Sequence, residues 1–389
     1  MSVELRPFGV TCNIACHYCY QEPQRGAGNF HQRYNMAYMK AALEKHGKPF
    51  VLFGGEPLLL PLDDLETLWR WGYERFGRNS LQTNGTLITD AHIALFKQYK
   101  VDVGISIDGP AELNDVRWNH TLAKTREATA RTEAAIERLC QEWTPPGLIV
   151  TLHRRNGAAD ERPRMAQWFR DLDALGVRSA RLHVLEVDNS LVRQQYVLSE
   201  QENVESLLFF AGLQRELKGL RFDVVDEMKR LLLGRDKFAS CVWHACDPYT
   251  TPAVQGVEGN GQSSNCGRVN KDGVGFIKGE RSGYERYLML HQLPQAHGGC
   301  RGCRFFLMCK GQCPGTAIDG DWRNRTEHCD IWKALFTHLE EELLGEGQMP
   351  LSLHPQRQQI EDRLTGLWRQ GLNVRLELLL GELQGSGQE

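Results

Sequence analysis

The sequence predicts an α/β protein: a partial, splayed barrel of six strand–helix units, then a small cysteine-rich region, then C-terminal helices. Three observations carry this expectation. From residue 1 to about 235, short β-branched runs alternate with amphipathic helical patterns. Glycine, proline, asparagine or cysteine motifs stand just past the ends of the first four runs. From about 236 glycine is frequent, strands are short, and cysteines replace an apolar core. The expected boundaries are 1–235 for the barrel, 236–345 for the cysteine-rich region and 346–389 for the helical extension and tail.

The strands are expected at 3–8, 50–53, 79–82, 103–107, 148–152 and 180–185, with helices at 36–46, 63–75, 90–99, 121–142 and 161–175. Asp63 and Asp90 suit helix N-termini, where partial positive charge favours a carboxylate. Strands alternating with helices build a parallel sheet with crossover helices, and six such units make most of an eight-unit barrel. Functional groups of such folds gather at the C-terminal ends of the strands. Further on, 269–277 with Lys271-Asp272-Gly273 inside reads as a hairpin. Helices are expected at 283–292, 330–345 and 354–381, and the last five residues should fray.

Composition removes several function classes. The 389 residues carry 46 Lys+Arg against 49 Asp+Glu, a net charge of −3. That balance offers no bulk attraction for nucleic acid, and no nucleic-acid partner is expected. No apolar run approaches the roughly 20 residues of a membrane span, so no membrane partner is expected. The first residues lack the charged-then-apolar layout of a secretion signal. A cytoplasmic location is expected. In that reducing compartment the twelve cysteines read as metal or redox ligands, not disulfides.

Eleven of those twelve fall in two groups. The first is Cys12-Asn-Ile-Ala-Cys16-His-Tyr-Cys19. Three thiolates wrap one cluster and leave a fourth position empty, which suits a four-iron cube with one free iron. A zinc knuckle completed by His17 is the alternative, although His17 lies awkwardly between its neighbours. The second group is Cys241, Cys246, Cys266, Cys300, Cys303, Cys309, Cys313 and Cys329, eight thiols able to close two four-ligand sites. Soft thiolates select zinc or iron–sulfur alike, so a two-zinc ribbon stays open on ligand type. Cys140 stands alone within the 121–142 helix and reads as a small buried hydrophobe; the alternative is a hydrogen-atom donor.

Polar motifs cluster at strand ends. Cys12–Cys19 follows the first strand, Gly54-Gly55-Glu56-Pro57 the second and Thr83-Asn84-Gly85 the third, while Ser106-Ile107-Asp108-Gly109-Pro110 ends the fourth. Any one is an ordinary turn; four aimed at one rim beside a cysteine triad point to a site. His153-Arg154-Arg155 after the fifth strand reads as a contact for an anionic group or as solvated rim. Asp115 and Arg117 read as site-lining or as a loop ion pair.

Together these residues resemble the radical S-adenosylmethionine (SAM) superfamily. Cys12-x3-Cys16-x2-Cys19, with aromatic Tyr18, matches its cluster motif, and Gly54-Gly55-Glu56-Pro57 matches its second signature. Cys246, Gly261 and Cys266, then Cys300-x2-Cys303-x5-Cys309-x3-Cys313, then Cys329, match the SPASM extension. The resemblance covers roughly residues 3–335. It implies a TIM-like partial (β/α)6 barrel and three [4Fe–4S] clusters, one binding SAM and two auxiliary. Cys12, Cys16 and Cys19 would hold the first, and its open iron would take the amino and carboxylate groups of SAM. Glu56 would accept from the methionine ammonium, with Gly54, Gly55 and Pro57 shaping the approach. Tyr18 would lie near adenine or in the core, Ser106 and Asp108 near the ribose, and Thr83 and Asn84 on the same rim. The auxiliary sets implied are Cys241, Cys246, Cys266 and Cys313, and Cys300, Cys303, Cys309 and Cys329. Reductive cleavage of SAM to a 5′-deoxyadenosyl radical would follow, with closed clusters relaying electrons.

The resemblance further implies a peptide or protein substrate. The first expectation is a maturase that oxidises or crosslinks side chains of a ribosomally made peptide precursor. The alternatives are a sulfatase-type maturase forming formylglycine and a peptide epimerase, with a non-enzymatic iron–sulfur or zinc module last. The motif begins twelve residues in, so no separate leader-recognition domain is expected before it. A separate precursor-recognition protein and an external electron donor such as flavodoxin or ferredoxin are the expected partners.

Overall fold

Nine strands form one sheet in the computed structural model, which describes residues 3–28, 33–247, 254–269 and 283–385. They are β1 (Val3–Arg6), β2 (Phe50–Leu52), β3 (Asn79–Thr83), β4 (Val101–Ser106), β5 (Gly147–Leu152), β6 (Ser179–Val184), β7 (Arg221–Phe222), β8 (Gly256–Glu258) and β9 (Ser263–Ser264). Their order is β7-β6-β5-β4-β3-β2-β1-β8-β9, and every pairing is parallel except β8 with β9. The first six strands are those expected, each beside its predecessor, as alternating strand–helix units require. The sheet does not close, so the barrel is partial.

The differences have local causes. β1 stops at Arg6 because Pro7 has no N–H to continue a ladder. β7, β8 and β9 have two or three residues, too few for a period-two pattern to show. The helix Glu200–Leu213 was not expected, although Ser199 and Glu202 form a capping box at its start. Ser190–Tyr196 and Asp223–Leu232 are also additional helices. The long C-terminal helix is two, Arg357–Trp368 and Leu376–Gly385, parted where Gly371 takes φ +74°. The expected hairpin lies, from residue 270 on, outside the described residues.

Contacts group the chain into two units, Met1–Asp223 with Gln255–Phe276, and Val224–Val254 with Ile277–Glu389. The described segment 255–269 therefore belongs with the sheet, where β8 pairs with β1 (Leu5 opposite Val257). The buried Arg6 guanidinium is shared by Glu4 at 2.6 Å and Glu258 at 3.3 Å, fastening that junction. In the first unit Leu5, Leu52, Leu81, Ile105, Val150 and Leu182 are buried along consecutive strands. Trp69, Phe96 and Phe169 on the crossover helices are buried as well. Each such side chain contributes about 1.5–3 kcal/mol of burial. The second unit is built on Trp243, Phe306, Phe336 and Trp368, around a buried Arg286.

Candidate functional site

The loop after β1 carries Cys12, Cys16 and Cys19, all half-buried. Two backbone bonds pin it to the segment beyond β4: Ala15 N to Trp118 O at 2.8 Å and His17 N to Val116 O at 3.0 Å. Burial pushes the Cys16 thiol up to about 12, with Cys19 and Cys12 adding to the rise and Arg117 opposing it. Arg25 Nη2 donates to Cys19 Sγ at 3.2 Å while its Nε holds Val10 O at 3.1 Å. Cys12 and Cys16, raised by burial, become good ligands once a metal takes the proton's place. Three such thiols with flanking guanidinium groups fit an iron–sulfur cluster with one uncommitted iron.

The Gly-Gly-Glu-Pro segment follows β2 and lies against that loop. Gly55 N donates to Gly9 O at 3.1 Å and Glu56 N to Thr11 O at 2.9 Å. A Cβ on Gly55 would sit 1.8 Å from Thr11 O, and one on Gly54 would sit 2.5 Å from Gly9 O. The glycines thus let two loops touch backbone to backbone. Glu56 is 1% exposed. Its Oε1 accepts from Thr83 Oγ1 at 2.7 Å and Leu58 N at 3.0 Å, and its Oε2 from Asn84 N at 2.9 Å. Burial still raises its pKa against those three bonds. Asn84 Nδ2 also reaches Asn13 Oδ1 at 2.8 Å, inside the cysteine loop. Thr83 and Asn84 therefore share the rim with Glu56 and the triad.

Past β4, Asp108 is fully buried and accepts from Tyr18 Oη and from Thr151 N, the latter at 2.9 Å. His153 Nε2 faces it at 3.6 Å, while His153 Nδ1 accepts from Arg155 N at 3.2 Å. Although burial opposes it, His153, Arg117 and Tyr18 hold the Asp108 carboxyl below the usual range. Arg117 Nη1 donates to Tyr18 Oη at 3.1 Å. Tyr18 also packs on Val116, Leu185 and Tyr196, so its ring is part of a small core. Ser106 Oγ accepts from Gln82 Nε2 at 2.9 Å. Asp115 is taken by Arg126 of the helix Leu122–Glu142 at 2.5 and 2.7 Å. Sequence reading left His153 and Arg117 open and passed over Arg25; no local pattern marks any of the three.

Cys140 is not brought to this rim. It lies near the end of the helix Leu122–Glu142, where Trp143 Nε1 donates to the carbonyl of Val101, the first residue of β4. That is the N-terminal end of a parallel strand, whereas the cysteine loop follows the C-terminal end of β1.

In the second unit Cys300, Cys303, Cys309 and Cys329 line one cavity with Phe305, Phe306, Phe336, Arg325 and Lys333. Burial raises Cys309 well above an ordinary thiol, and Cys300, Cys329 and Cys303 raise it further. Cys329 is the first residue of the helix Cys329–Gly345. Four thiols on one cavity fit a closed cluster site. Cys241 opens a short helical turn, Cys241–Trp243. Lys310 Nζ, between Cys309 and Cys313, donates to Trp243 O at 3.0 Å. Cys266 belongs to the sheet unit, and Cys246 and Cys313 to the other.

A family model for the radical SAM superfamily matches residues 7–156. A cysteine-type anaerobic sulfatase-maturating enzyme of Clostridium perfringens is 31% identical over 376 residues, 89% of this chain and 98% of that protein. The chain belongs to the radical SAM superfamily. As a radical SAM enzyme it takes S-adenosylmethionine and a [4Fe–4S] cluster, as its motifs lead one to expect. A serine-type anaerobic sulfatase-maturating enzyme of Klebsiella aerogenes is 31% identical over 209 residues, 50% of this chain and 49% of that protein. The chain thus spans about half the length of the serine-type relative from Klebsiella. Among solved structures, anSMEcpe with bound AdoMet and Kp18Cys peptide aligns with TM-score 0.69 at 18% identity, over 88% of this chain and 98% of that one. Streptococcus suis SuiB bound to precursor peptide SuiA aligns with TM-score 0.52 at 13% identity, over 84% of this chain and 75% of that one. Both show a shared radical SAM fold.

Proposed function

We propose that this radical SAM enzyme is a maturase that oxidises a serine or cysteine side chain of a peptide or protein, as in sulfatase maturation. The observation that carries the reading is the 376-residue alignment, 98% of the length of the C. perfringens sulfatase-maturating enzyme. Cys12, Cys16 and Cys19 would hold the SAM-binding cluster, and Cys300, Cys303, Cys309 and Cys329 an auxiliary one. A second auxiliary cluster on Cys241, Cys246, Cys266 and Cys313 follows from the sequence motif. Bound there, these groups would supply hydrogen-atom abstraction from an unactivated carbon and a path for electrons.

The chain's own residues prepare the site. Glu56 is fixed by Thr83, Leu58 and Asn84, and its Oε2 accepts from Asn84 N, with acceptor capacity left for an ammonium. Arg25 beside Cys12 and Arg117 beside Cys16 place positive charge that opposes the rise burial imposes on those two thiols. The Tyr18–Asp108–His153 contacts tie the cysteine loop to the ends of β4 and β5. A thiol set closed by four ligands suits electron relay rather than substrate binding. Among the described residues, no helix is long and apolar enough to cross a membrane.

The test is anaerobic incubation of the reconstituted enzyme, SAM and a reductant with serine- and cysteine-containing sulfatase peptides. An aldehyde trapped by a hydrazide is the expected result. SAM cleavage without aldehyde, accompanied by loss of two hydrogens from a cyclised peptide, would instead favour the crosslinking reading. Epimerisation needs a hydrogen-atom donor at the rim, and the helix end that carries Cys140 lies by the N-terminal end of β4.

A further inference from the structure

We propose that His183, near the end of β6, hydrogen-bonds the serine hydroxyl or cysteine thiol that is oxidised and takes up the proton it gives away. The inference rests on the maturase reading above.

Three observations place His183 in that role. The first is the face of the sheet. Along β6, Ala180, Leu182 and Val184 are buried in the core, while Ser179, Arg181 and His183 alternate with them, half-buried on the other face. β1 repeats the alternation, with Val3 and Leu5 in the core and Glu4 and Arg6 opposite. The second is the level of the rim. In register His183 stands opposite Thr151 of β5, whose N–H donates to Asp108 at 2.9 Å. Asp108 in turn accepts from Tyr18 of the cysteine loop. Arg268, which follows β9, lies over the ring of Tyr20 at 5.3 Å and pairs with Glu186, three residues beyond His183. Both connections lead from beside His183 to the loop that carries Cys12, Cys16 and Cys19.

The third is that the ring is uncommitted. His183 makes no hydrogen bond or ion pair with a described residue. Carboxylates on or beside the same face are already paired: Glu4 and Glu258 with Arg6, Asp223 with Arg181 at 3.4 Å, and Glu186 with Arg268. Burial, then the charges of Arg268 and Arg181, hold the imidazole well below its ordinary pKa. It is therefore neutral near neutral pH and offers a lone pair.

Oxidation of a CH2–OH or CH2–SH group to an aldehyde or thioaldehyde removes one hydrogen atom from Cβ, one electron and one proton. The maturase reading accounts for the atom and, through an auxiliary cluster, for the electron. The proton needs an acceptor. As the electron leaves, the O–H or S–H bond breaks, the second C=O or C=S bond forms, and the proton bonds to a ring nitrogen of His183. A thioaldehyde then exchanges its sulfur for the oxygen of water and releases hydrogen sulfide. A hydroxyl on a carbon losing its electron is a strong acid, so a weak neutral base suffices and passes the proton on readily.

The experiment uses the full reconstituted chain and two sulfatase peptides that differ only in serine or alanine at the target. Binding is measured anaerobically by fluorescence anisotropy without reductant. Wild type should prefer the serine peptide about fivefold, and His183→Ala should bind both alike. His183→Gln keeps a hydrogen-bonding side chain and should restore the preference. Under turnover both variants should keep their iron and cleave SAM, yet form about a hundredfold less aldehyde per SAM cleaved. Added imidazole should raise the aldehyde yield of His183→Ala and leave that of wild type unchanged. An unchanged aldehyde yield per SAM cleaved in both variants overturns the proposal. So does loss of iron or of SAM cleavage in both, which would make His183 a structural side chain. Wild type that cleaves SAM with the serine and cysteine peptides and forms no aldehyde would instead refute the maturase reading, and the proposal with it.

Discussion

Asp108 and His153 face one another at 3.6 Å, both fully buried, from the ends of adjacent strands β4 and β5. Neither belongs to a cysteine motif, yet Asp108 also takes the hydroxyl of Tyr18, which lies between Cys16 and Cys19. The contact therefore connects two strand ends to the loop that carries the triad.

Asp108→Asn should loosen that loop. It removes the buried charge that Tyr18, His153 and Arg117 stabilise, at a cost of about 2–4 kcal/mol in denaturant unfolding. The pH dependence has a definite sign. The Asp108 carboxyl is held below its usual value, so its contribution is fully present above the unfolded carboxylate range. It is lost as pH falls through the lower, folded value. The wild type should lose more stability than Asp108→Asn on acidification below about pH 4. Parallel curves would show that the contact carries no linkage.

Glu56→Gln keeps an acceptor beside Thr83 but removes the charge. SAM affinity, measured by calorimetry on anaerobically reconstituted protein, should drop about tenfold or more. Without SAM the variant should be no less stable than wild type near neutral pH, because burial raises the Glu56 carboxyl. Unchanged affinity would remove Glu56 from the binding role.

Gly55→Ala forces a methyl to within 1.8 Å of Thr11 O, so the two loops must part. The expected cost is at least about 3 kcal/mol, with loss of iron from the first site. Gly212→Ala is the control. Gly212 lies within the helix Glu200–Leu213 with nothing within 4 Å of the new Cβ. It should gain about 0.5–1 kcal/mol. Thermal unfolding of the pair would decide whether close approach or flexibility explains Gly55.

Iron analysis separates the sites. Three [4Fe–4S] clusters amount to about twelve irons per chain. Cys16→Ala should abolish SAM cleavage. Cys309→Ala should lower iron to about eight while SAM is still cleaved. Retained cleavage in Cys16→Ala would sink the assignment of the first triad.

The sequence by itself determined the six strand–helix units, the Cys12–Cys19 spacing, Gly-Gly-Glu-Pro after β2 and the grouping of the later cysteines. All of these are written in consecutive residues, through hydrophobic period, turn chemistry and ligand spacing. Only the tertiary structure decided that Gly54 and Gly55 serve an approach between two loops. It likewise decided that Tyr18 is tied to Asp108, that His153 and Arg117 join that network, and that the helix end carrying Cys140 lies by the N-terminal end of β4. Strands β7–β9 were illegible because two or three residues carry no periodicity. The contacts that build the site join residues such as Tyr18 and Asp108, ninety apart in the chain. Their meeting depends on strand order and register, which no local stretch of sequence encodes.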